Sequence, residues 1–340
     1  MTFIVRERVP MYQYTTLKVG GVAKYFAEVK TLEDLEKAGQ FAKQTALPFL
    51  VIGGGSNLLV SDQGYEGVVI YNQLKGREFI NNSDGSTTLV CQAGEILDEV
   101  VADCVDRGLW GLENLSSIPG TVGATPVQNV GAYGVEVADV IVGVETYDVE
   151  NNSKKFLSKS ECKFSYRDSF FKTVEGKKYI ITAVHFRLEN KLDPKINYAD
   201  LLKYFGTRTP SQNEIRNAII EIRAKKFPNW REIGTAGSFF KNPIITKKEA
   251  KLLLVRFPEL PTYETENGQI KVSLGYILDK ICNLKGYREG DIGLYTEQAL
   301  VLVNYGEQNS DEIKKFVEKI IEKVFTETKI KITPEVCFVK

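Results

Sequence analysis

Residues 46–61 read ALPFLVIGGGSNLLVS, and the rest of the chain can be organised around this stretch. The apolar run at 49–52 is rich in strand-forming residues. Three glycines and two polar residues follow it directly: Gly53, Gly54, Gly55, Ser56 and Asn57. A strand that breaks into consecutive glycines lets the backbone approach a ligand closely, and successive N–H groups can form an anion site. The stretch therefore indicates a site for a phosphate or pyrophosphate, with the two polar side chains as further donors.

A glycine turn between two core strands is an equally good interpretation of these residues alone. The stretch is not the dinucleotide-binding fingerprint, because Leu58 stands where G-x-G-x-x-G requires glycine. It is not a P-loop either, because no Lys-Ser or Lys-Thr pair follows the glycines.

The composition of the 340-residue chain limits its class. This length predicts two or three domains, each able to bury a core. Lys plus Arg and Asp plus Glu both number 44, so the net charge is zero, which argues against nucleic acid or an acidic membrane surface as the main partner. No apolar run approaches the roughly 20 residues of a membrane span, and the N-terminus shows no signal-peptide core.

The cysteines and the single histidine exclude several kinds of site. Five scattered cysteines without a C-x-x-C pair are typical of free thiols in a reducing cytoplasm, where we expect the protein: Cys91, Cys104, Cys162, Cys282 and Cys337. His185 lies in a strand-like run and is predicted to be an ordinary strand residue. With one histidine, a Ser-His-Asp triad is nearly excluded, and no metal site is expected.

The periodicity of the N-terminal part predicts a small α/β unit. Residues 17–28 alternate around two glycines and predict a strand, a turn and a second strand. Residues 31–44 carry an apolar stripe with helical spacing, and Thr31 with Asp34 forms a capping-box signature at its start.

The next part of the chain, residues 67–188, is mainly strand-like, with one amphipathic helix at 95–107. The predicted strands are 68–71, 87–92, 140–149 and 178–188. A long irregular segment at 112–135 contains two prolines and four glycines: Gly120, Gly123, Gly131 and Gly134. Long irregular loops inside compact domains are usually functional. We therefore expect both glycine-rich loops to wrap one extended phosphate-bearing ligand, and the alternative is a purely structural loop.

A third region, beginning near residue 211, mixes helices and strands. Capping boxes and apolar periodicity predict helices that begin at Ser211 and Thr246, a helix at 274–281, and a last helix from residue 310. Residues 299–304 are predicted to form a strand. The tail, residues 330–339, is strand-like and is expected to pair back with an earlier domain.

Three polar clusters are candidates for chemistry. They are YRDSFFK at 166–172 with Arg167, GSFFKNP at 237–243 with Ser238, and PEVCF at 334–338 with Glu335. A carboxylate in an apolar strand would have poorly hydrated surroundings, which raise its proton affinity. Each residue alone also has a simpler interpretation: Arg167 as an ion-pair partner, Ser238 as a cap, and Glu335 as a solvent-facing group on an edge strand.

Together with the two glycine loops, these clusters resemble a known family, the UDP-N-acetylenolpyruvoylglucosamine reductases (MurB family) of bacterial peptidoglycan synthesis. The resemblance covers essentially the whole chain and rests on seven motifs in family order: VIGGGSNLLVSD, IPGTVGATPVQNVGAYGVE, CKFSYRDSFFK, NYADL, AGSFFKNP, EQALVLVN and TPEVCF. Any one motif could arise by chance, whereas the ordered set is highly specific. Residues 257–278, with Tyr263 inside them, resemble the insertion of the longer subtype of the family.

The resemblance implies an α+β chain with an FAD-binding fold of the vanillyl-alcohol-oxidase (PCMH) type in two subdomains, plus an α/β substrate-binding domain. This fold is not a Rossmann domain, which agrees with the missing dinucleotide fingerprint. The implied boundaries are 1–66 for the first FAD-binding subdomain, 67–222 for the second, and 223–328 for the substrate-binding domain. The C-terminal strand, 329–340, is expected to return to the first subdomain.

The resemblance also assigns residues to the site by motif position. Arg167, Ser238 and Glu335 match the catalytic residues of the family. The positions that match FAD-binding residues are Gly53, Gly54, Gly55, Ser56, Asn57, Ser116, Ser117, Ile118, Pro119, Gly120, Gly123, Ala124, Gln128, Asn129, Gly131, Ala132, Tyr133 and Gly134. The positions that match substrate-binding residues are Tyr198, Lys226, Asn242, Tyr263 and Gln298. Cys337 is a departure, because many members carry Arg at this position beside Glu335.

The implied activity is the reduction of UDP-N-acetylglucosamine enolpyruvate to UDP-N-acetylmuramate, with NADPH as reductant and FAD as relay. FAD is expected to be non-covalent, because neither glycine loop contains a His or Cys. In the implied mechanism C3 of the enolpyruvyl group receives hydride, Arg167 and protonated Glu335 stabilise the resulting enediolate, and Ser238 protonates C2. The expected partners are these small molecules, with no nucleic acid and no membrane insertion, and the expected oligomeric state is a monomer.

Two other classes stay open at this point: a flavin oxidase of the same superfamily and a non-catalytic nucleotide-sugar sensor. The motif-matched trio of Arg167, Ser238 and Glu335 disfavours both. Flavin absorbance would exclude the sensor, and bleaching by NADPH without oxygen consumption would exclude the oxidase.

Overall fold

The structure, a computed structural model, describes residues 3–265, 267–306 and 309–340. The chain forms two units. The first runs to Val9 and continues with Ala23–Gly55 and Tyr65–Arg223, and the second contains Pro10–Val22, Ser56–Gly64 and Ala224–Lys340. The three-part division with boundaries at 66, 222 and 328 stays a prediction.

The elements alternate along the whole chain. The strands are β1 (Val5–Pro10), β2 (Val22–Val29), β3 (Phe49–Ile52), β4 (Leu58–Val60), β5 (Tyr65–Asn72), β6 (Arg77–Asn81), β7 (Thr87–Gln92), β8 (Gly131–Ala132), β9 (Val135–Glu136), β10 (Ile141–Asp148), β11 (Ser153–Ser158), β12 (Tyr179–Leu188), β13 (Gly234–Ser238), β14 (Ile244–Ile245), β15 (Thr262–Glu264), β16 (Ile270–Val272), β17 (Arg288–Glu289), β18 (Ile292–Leu294), β19 (Val301–Asn304) and β20 (Cys337–Val339). The α-helices are α1 (Leu32–Gln44), α2 (Leu97–Asp106), α3 (Ala199–Phe205), α4 (Gln212–Lys226), α5 (Lys247–Arg256), α6 (Leu274–Tyr276) and α7 (Ser310–Thr328). A π-helical turn, Ile277–Ile281, continues α6.

In the first unit, a four-stranded sheet delivers the first glycine loop. Its strand order is β1-β2-β5-β3, and β2, β5 and β3 are parallel. Helix α1 connects β2 to β3 and buries its apolar stripe against this sheet. The predicted capping box is confirmed, because Thr31 Oγ1 accepts from Asp34 N at 3.1 Å and Asp34 Oδ2 accepts from Thr31 N at 3.1 Å. Strand β3 ends at Ile52, directly before Gly53.

A five-stranded antiparallel sheet in the same unit supports the second glycine loop. Its order is β11-β10-β12-β7-β6, and β7 has the predicted bounds of 87–92. Helix α2 follows β7 and packs on this sheet through Leu97, Val100, Val101 and Cys104, which are at most 1% exposed. Trp110 and Tyr133 pack with apolar residues of α3 and α4 in a further hydrophobic core.

In the second unit, α7 and the sheet β13-β19-β18-β17 share one core. Strand β20 pairs in parallel with β4, an earlier segment of the chain that belongs to the same unit. The return of the tail to a separate first subdomain stays a prediction. Asp62, just after β4, accepts from the N–H groups of Ser310 at 2.8 Å and Asp311 at 3.2 Å. A carboxylate there satisfies donors at the helix start and suits the positive end of the α7 dipole.

One predicted strand is absent and another is much shorter than expected. Of the strand, turn and strand predicted at 17–28, only β2 forms, because Lys18 adopts a left-handed φ of +61° and interrupts the extended chain. In the tail only Cys337–Val339 is a strand. Glu335 precedes β20 and does not lie within it, because its N–H donates to Phe239 O at 2.7 Å, outside the pairing with β4.

Several features bear on the class of protein. Within the described residues, no helix combines the length and the apolar composition that crossing a bilayer requires. Over the same residues, no group of three His, Cys, Asp or Glu side chains is arranged to hold a metal ion. All five cysteines are free thiols, and Cys337 alone among them is exposed.

Candidate active site

The two glycine-rich loops lie against each other in the first unit. A Cβ built on Gly53 would stand 2.1 Å from Thr121 Oγ1, and one built on Gly54 would stand 2.9 Å from the Cα of Gly120. Such distances leave no space for a side chain, so the loops approach this closely because both positions are glycine. We call residues 53–55 and 116–124 the glycine cradle.

Main-chain hydrogen bonds fix one side of the glycine cradle. The segment that leads into α2 runs antiparallel to it: Gly123 N donates to Ala93 O at 2.8 Å, and Leu97 N donates to Gly120 O at 3.1 Å. The approach is again close, since a Cβ on Gly123 would stand 2.5 Å from the Cβ of Ala93. The loop therefore has a defined conformation although it contains no regular strand.

The two serines of the cradle are bound within the protein. Ser116 Oγ donates to Glu113 O at 2.6 Å. Ser117 N donates to Asp98 Oδ1 at 2.6 Å, and Ser117 O accepts from Arg223 Nε at 3.1 Å. These hydrogen bonds therefore fix the conformation of the cradle at both predicted cofactor residues.

The surface of the cradle fits the pyrophosphate of FAD. Gly54 and Ala124 are exposed, and Ile118, Pro119 and Gly120 are half-buried. A surface of main chain and small side chains at the end of a strand lets a diphosphate approach the backbone amides. The cradle has no room for added Cβ atoms at Gly53 and Gly54 and leaves its outer face accessible. The residues present therefore match the group that the resemblance implies.

Arg167 stands on a tight turn and is anchored to the predicted flavin-lining segment. Ser165 and Asp168 exchange main-chain hydrogen bonds of 3.0 and 3.1 Å, and Arg167 between them has a left-handed φ of +55°. Arg167 Nη2 donates to Gly131 O at 2.6 Å. A Cβ on Gly131 would stand 3.1 Å from Arg167 Nη1, so the glycine also makes room for the guanidinium. A left-handed non-glycine residue costs free energy and persists where the surrounding contacts fix it, as the turn and the Gly131 contact do here.

Asn129 ties this turn to the flavin-lining segment. Its Nδ2 donates to Glu136 Oε2 at 2.6 Å and to Ser165 O at 3.1 Å, while its Oδ1 accepts from Ala138 N at 3.1 Å. Asn129 is 1% exposed, so its side chain serves this internal network.

The other predicted flavin-lining residues follow along the same segment. Gly131 and Ala132 form β8, Gly134 makes an exposed turn with a φ of +85°, and Gln128 is half-buried. Tyr133 is 8% exposed, and burial raises its pKa to about 12.

Tyr133 also contacts a predicted substrate residue. Its ring packs edge-on against Tyr198, with the ring centroids 5.4 Å apart and an interplanar angle of 79°. Tyr198 is 45% exposed and immediately precedes α3. The structure thus brings a predicted flavin residue and a predicted substrate residue together in the first unit.

In the second unit, Ser238 and Glu335 lie on neighbouring segments. Ser238 ends β13 after an irregularity in its pairing with β19, where Gly237 has a φ of +73°. Glu335 N donates to Phe239 O at 2.7 Å, one residue beyond Ser238. Asn57 Nδ2 donates to Glu335 O at 3.3 Å. Both main-chain polar groups of the half-buried Glu335 are therefore hydrogen-bonded. Ser56, also in this unit, is half-buried.

Two of the other predicted substrate residues converge in this unit. Asn242 Oδ1 accepts from Leu274 N at 3.0 Å, and a Cβ on Gly275 would lie 3.4 Å from Gln298 Oε1. Both side chains therefore lie at the start of α6. Tyr263 is 53% exposed on β15, and Lys226 is half-buried at the end of α4.

Sequence reasoning missed the residues that hold the cradle and its surroundings. Asp98 and Arg223 bind the Ser117 main chain, and Arg216 binds Asp98. Asn114 Nδ2 donates to Tyr133 O at 2.8 Å. Asp98 and Arg216 are 118 positions apart. In the sequence they are ordinary polar residues of two amphipathic helices, so no local pattern could have paired them.

The contact within the cradle makes Gly53→Ala a test of cofactor binding. We expect the dissociation constant of FAD to rise by roughly 10- to 100-fold, because the new methyl group would overlap Thr121 Oγ1 and force the loops apart. Thr121→Ala removes that oxygen and should restore part of the affinity in the double variant. Quenching of FAD fluorescence by the apoprotein measures both effects, and equal affinity of Gly53→Ala and the parent would contradict the expectation.

Glu113, at the start of the second loop, should make stability depend on pH. It is 1% exposed, and burial raises the pKa of its carboxyl even though Gly111 N donates to it at 2.7 Å. The folded protein then holds this proton to higher pH than the unfolded chain. The free energy of unfolding therefore falls as pH rises above the unfolded pKa of about 4.3.

Glu113→Gln keeps an oxygen that accepts from Gly111 N, but its side chain does not titrate. The variant should therefore not lose stability as pH rises in this way, and it should be more stable than the parent at neutral pH. Urea unfolding across a pH series measures the difference. Glu66→Gln, at a side chain that is 81% exposed, is the control. A difference between Glu113→Gln and the parent that does not change with pH would contradict the assignment.

Comparison with known proteins shows which families the two halves of the chain resemble. The FAD binding domain family matches residues 23–152, and the C-terminal domain family of UDP-N-acetylenolpyruvoylglucosamine reductase matches residues 228–339. The reductase of that name from Neisseria meningitidis serogroup A is 38% identical over 97% of this chain and 96% of its own length. The corresponding protein of Pseudomonas aeruginosa is 36% identical over 98% of this chain and 99% of its own.

The solved structures agree with the sequence relatives. The crystal structure of UDP-N-acetylenolpyruvylglucosamine reductase (MurB) from Thermus caldophilus matches with a TM-score of 0.69 and 27% identity, covering 100% of both chains. The predicted α+β fold with an FAD-binding domain is confirmed. From its relatives and its fold, the chain belongs to the UDP-N-acetylenolpyruvoylglucosamine reductase family.

Proposed function

We propose that this chain reduces the enolpyruvyl group of UDP-N-acetylglucosamine enolpyruvate to give UDP-N-acetylmuramate, a precursor of peptidoglycan. FAD is the cofactor and NADPH is the reductant. The observation that carries the proposal is the glycine cradle together with an arginine that is anchored on the flavin-lining segment of the same unit. Family membership over 97% of the chain supports the substrate class.

Bound FAD supplies the two-electron relay between NADPH and the enolpyruvyl carbon. We assign Arg167 to the carboxylate of the enolpyruvyl group. Its guanidinium offers a fixed positive charge and planar donors, which suit a carboxylate on which negative charge grows during reduction. The hydrogen bond from Nη2 to Gly131 O holds the guanidinium in place, which limits the reorganisation needed when the substrate binds.

Ser238 is assigned as the proton donor to C2 of the substrate. A serine hydroxyl is a weak acid, so it donates well only where negative charge develops beside it. Glu335, when protonated, is assigned to donate to the same developing anion. The main-chain hydrogen bond between Glu335 and Phe239 supports this pairing of roles, because it keeps the two segments adjacent.

The rest of the nucleotide sugar is assigned to Tyr198, Lys226, Asn242, Tyr263 and Gln298. The meeting of Asn242 and Gln298 at the start of α6 supports a shared role for these two side chains. We also propose that the enzyme is cytoplasmic, where free thiols stay reduced and NADPH is available, and that it is a monomer. Light scattering after size exclusion tests the last point.

An anaerobic titration tests the proposed reaction. NADPH should bleach the visible absorbance of the bound flavin, and UDP-N-acetylglucosamine enolpyruvate should then restore it with formation of UDP-N-acetylmuramate. Recovery with oxygen alone would indicate an oxidase, and a protein that binds no flavin would indicate a sensor.

We further expect FAD to be held without a covalent bond, because neither the 53–57 stretch nor residues 116–134 contain a His or Cys that could attach to it. Acid precipitation should therefore leave all of the flavin in the supernatant. Flavin that stays with the polypeptide would contradict this expectation.

A further inference from the structure

We propose that Asp98 is a positioning residue for FAD, because it fixes the Ser117 peptide of the glycine cradle in the conformation that receives the pyrophosphate. The inference rests on the proposed function, which places the pyrophosphate of FAD in this cradle. Asp98 lies in the first turn of α2, and all residues of the argument belong to the first unit.

Both polar groups of the Ser117 main chain are held by charged side chains. Ser117 N donates to Asp98 Oδ1 at 2.6 Å, and Ser117 O accepts from Arg223 Nε at 3.1 Å. Ser117 has a φ of +61°, a left-handed conformation that a residue with a Cβ adopts only at a cost. The conformation therefore depends on contacts outside the loop, and Asp98 supplies the shorter of these two.

Asp98 is itself fixed by a second arginine. Arg216 donates to Asp98 Oδ1 at 2.6 Å through Nη1 and to Oδ2 at 3.2 Å through Nη2, a two-pronged pairing. Burial pushes the pKa of Asp98 upward, but hydrogen bonds from Arg216 and the Ser117 amide outweigh it and lower the pKa below its usual value. Asp98 is therefore a carboxylate at neutral pH, and hydrogen bonds to an ionised acceptor are the strong ones.

The same arrangement defines how Asp98 acts. The Ser117 N–H is bound to Asp98, so Asp98 affects the ligand through the conformation of the peptide that leads into residues 118–120. The first residue of α2 already fixes the far side of the loop, because Leu97 N donates to Gly120 O. Asp98 thus extends the same support to the first residues of the cradle.

Binding of FAD to the apoprotein tests the role. We expect Asp98→Ala to raise the dissociation constant of FAD roughly 10- to 100-fold, because the substitution removes a hydrogen bond to a charged group. Asp98→Asn keeps an oxygen acceptor but loses the charge, so its effect should be smaller. Asp103→Asn is the matched control, because Asp103 lies on the same helix and pairs with Arg107 and Arg77 and not with Ser117.

Two further measurements separate positioning from a general loss of structure. Riboflavin lacks the pyrophosphate, so its affinity should change less than that of FAD in Asp98→Ala. Ser117→Gly in the Asp98→Ala background should recover part of the FAD affinity, because glycine adopts the left-handed conformation without steric cost. Equal losses for riboflavin and FAD, or no recovery with glycine, would overturn the inference.

The outcomes also distinguish this inference from the function on which it rests. If the unsubstituted protein binds FAD and Asp98→Ala binds it equally well, the positioning role is wrong and the proposed function stands. If the unsubstituted protein binds no FAD, the proposed function and this inference both fail. Should Asp98→Ala not fold, a measurable weakening in Asp98→Asn, absent from Asp103→Asn, supports the role, and unchanged affinity refutes it.

Discussion

Replacement of Ser238 with alanine is expected to separate the two half-reactions. Reduction of the bound flavin by NADPH needs no proton at C2 of the substrate, so it should proceed at a near-normal rate. Reoxidation by the enolpyruvyl substrate should slow by about 10²- to 10⁴-fold, or roughly 3 to 5 kcal/mol, because the developing anion has lost its proton donor.

The local structure explains why the hydroxyl should be this sensitive. The irregular pairing of β13 with β19 and the left-handed Gly237 set the direction of the chain directly before Ser238. Directly after it, Phe239 and Phe240 are at most 1% exposed. Such an irregularity at the end of a strand commonly re-aims a side chain. The position is therefore built to hold the hydroxyl in one place.

If Ser238 served only as a turn or cap residue, alanine would cost about 1 kcal/mol of stability and would leave both half-reactions intact. Ser211→Ala is the matched control, because Ser211 Oγ accepts from Glu214 N at 3.3 Å at the start of α4. Ser238→Cys should recover part of the lost rate, since a thiol can still donate a proton. Stopped-flow measurement of each half-reaction decides the matter, and equal slowing of both would remove Ser238 from the proton-donor role.

The sequence predicted the elements whose signals are local. The capping box at Thr31, the strand at 87–92 and the capping box at Thr246 appear where they were expected, because each depends on residues a few positions apart. Many of the shorter strands were missed, and β1, β6 and β11 are among them. These three lie at the edges of their sheets, where most side chains are exposed or only half-buried and apolar alternation disappears.

For the candidate site, the sequence predicted the residues but not the contacts that support them. Motif order assigned the residues, but it could not indicate what supports them. Asn57 reaches Glu335 across 278 positions, and Arg223 reaches Ser117 across 106. Contacts of this kind join polar residues that have no distinguishing pattern in either segment. They become visible only once the folded main chain has brought the segments together.

Replacement of Arg167 with lysine is the second substitution expected to have a large effect. Lysine keeps the positive charge but offers a single flexible ammonium in place of a planar fork of donors. It could not bind Gly131 O and a substrate carboxylate in the same fixed geometry. We expect the reaction with the enolpyruvyl substrate to slow by about 10²- to 10³-fold, the usual loss when a preorganised donor to a developing anion is removed.

Rapid-mixing kinetics with each substrate would show where the loss falls. Reduction of the flavin by NADPH should change much less than the reaction with the enolpyruvyl substrate, because only the latter develops charge on a carboxylate. Arg187→Lys is the control, since Arg187 pairs with Asp84 and Glu189 through side chains that are all about half exposed. An Arg167→Lys enzyme that keeps its full rate with the enolpyruvyl substrate would show that the charge alone is sufficient. The planar donors held by Gly131 would then have no part in stabilising the anion.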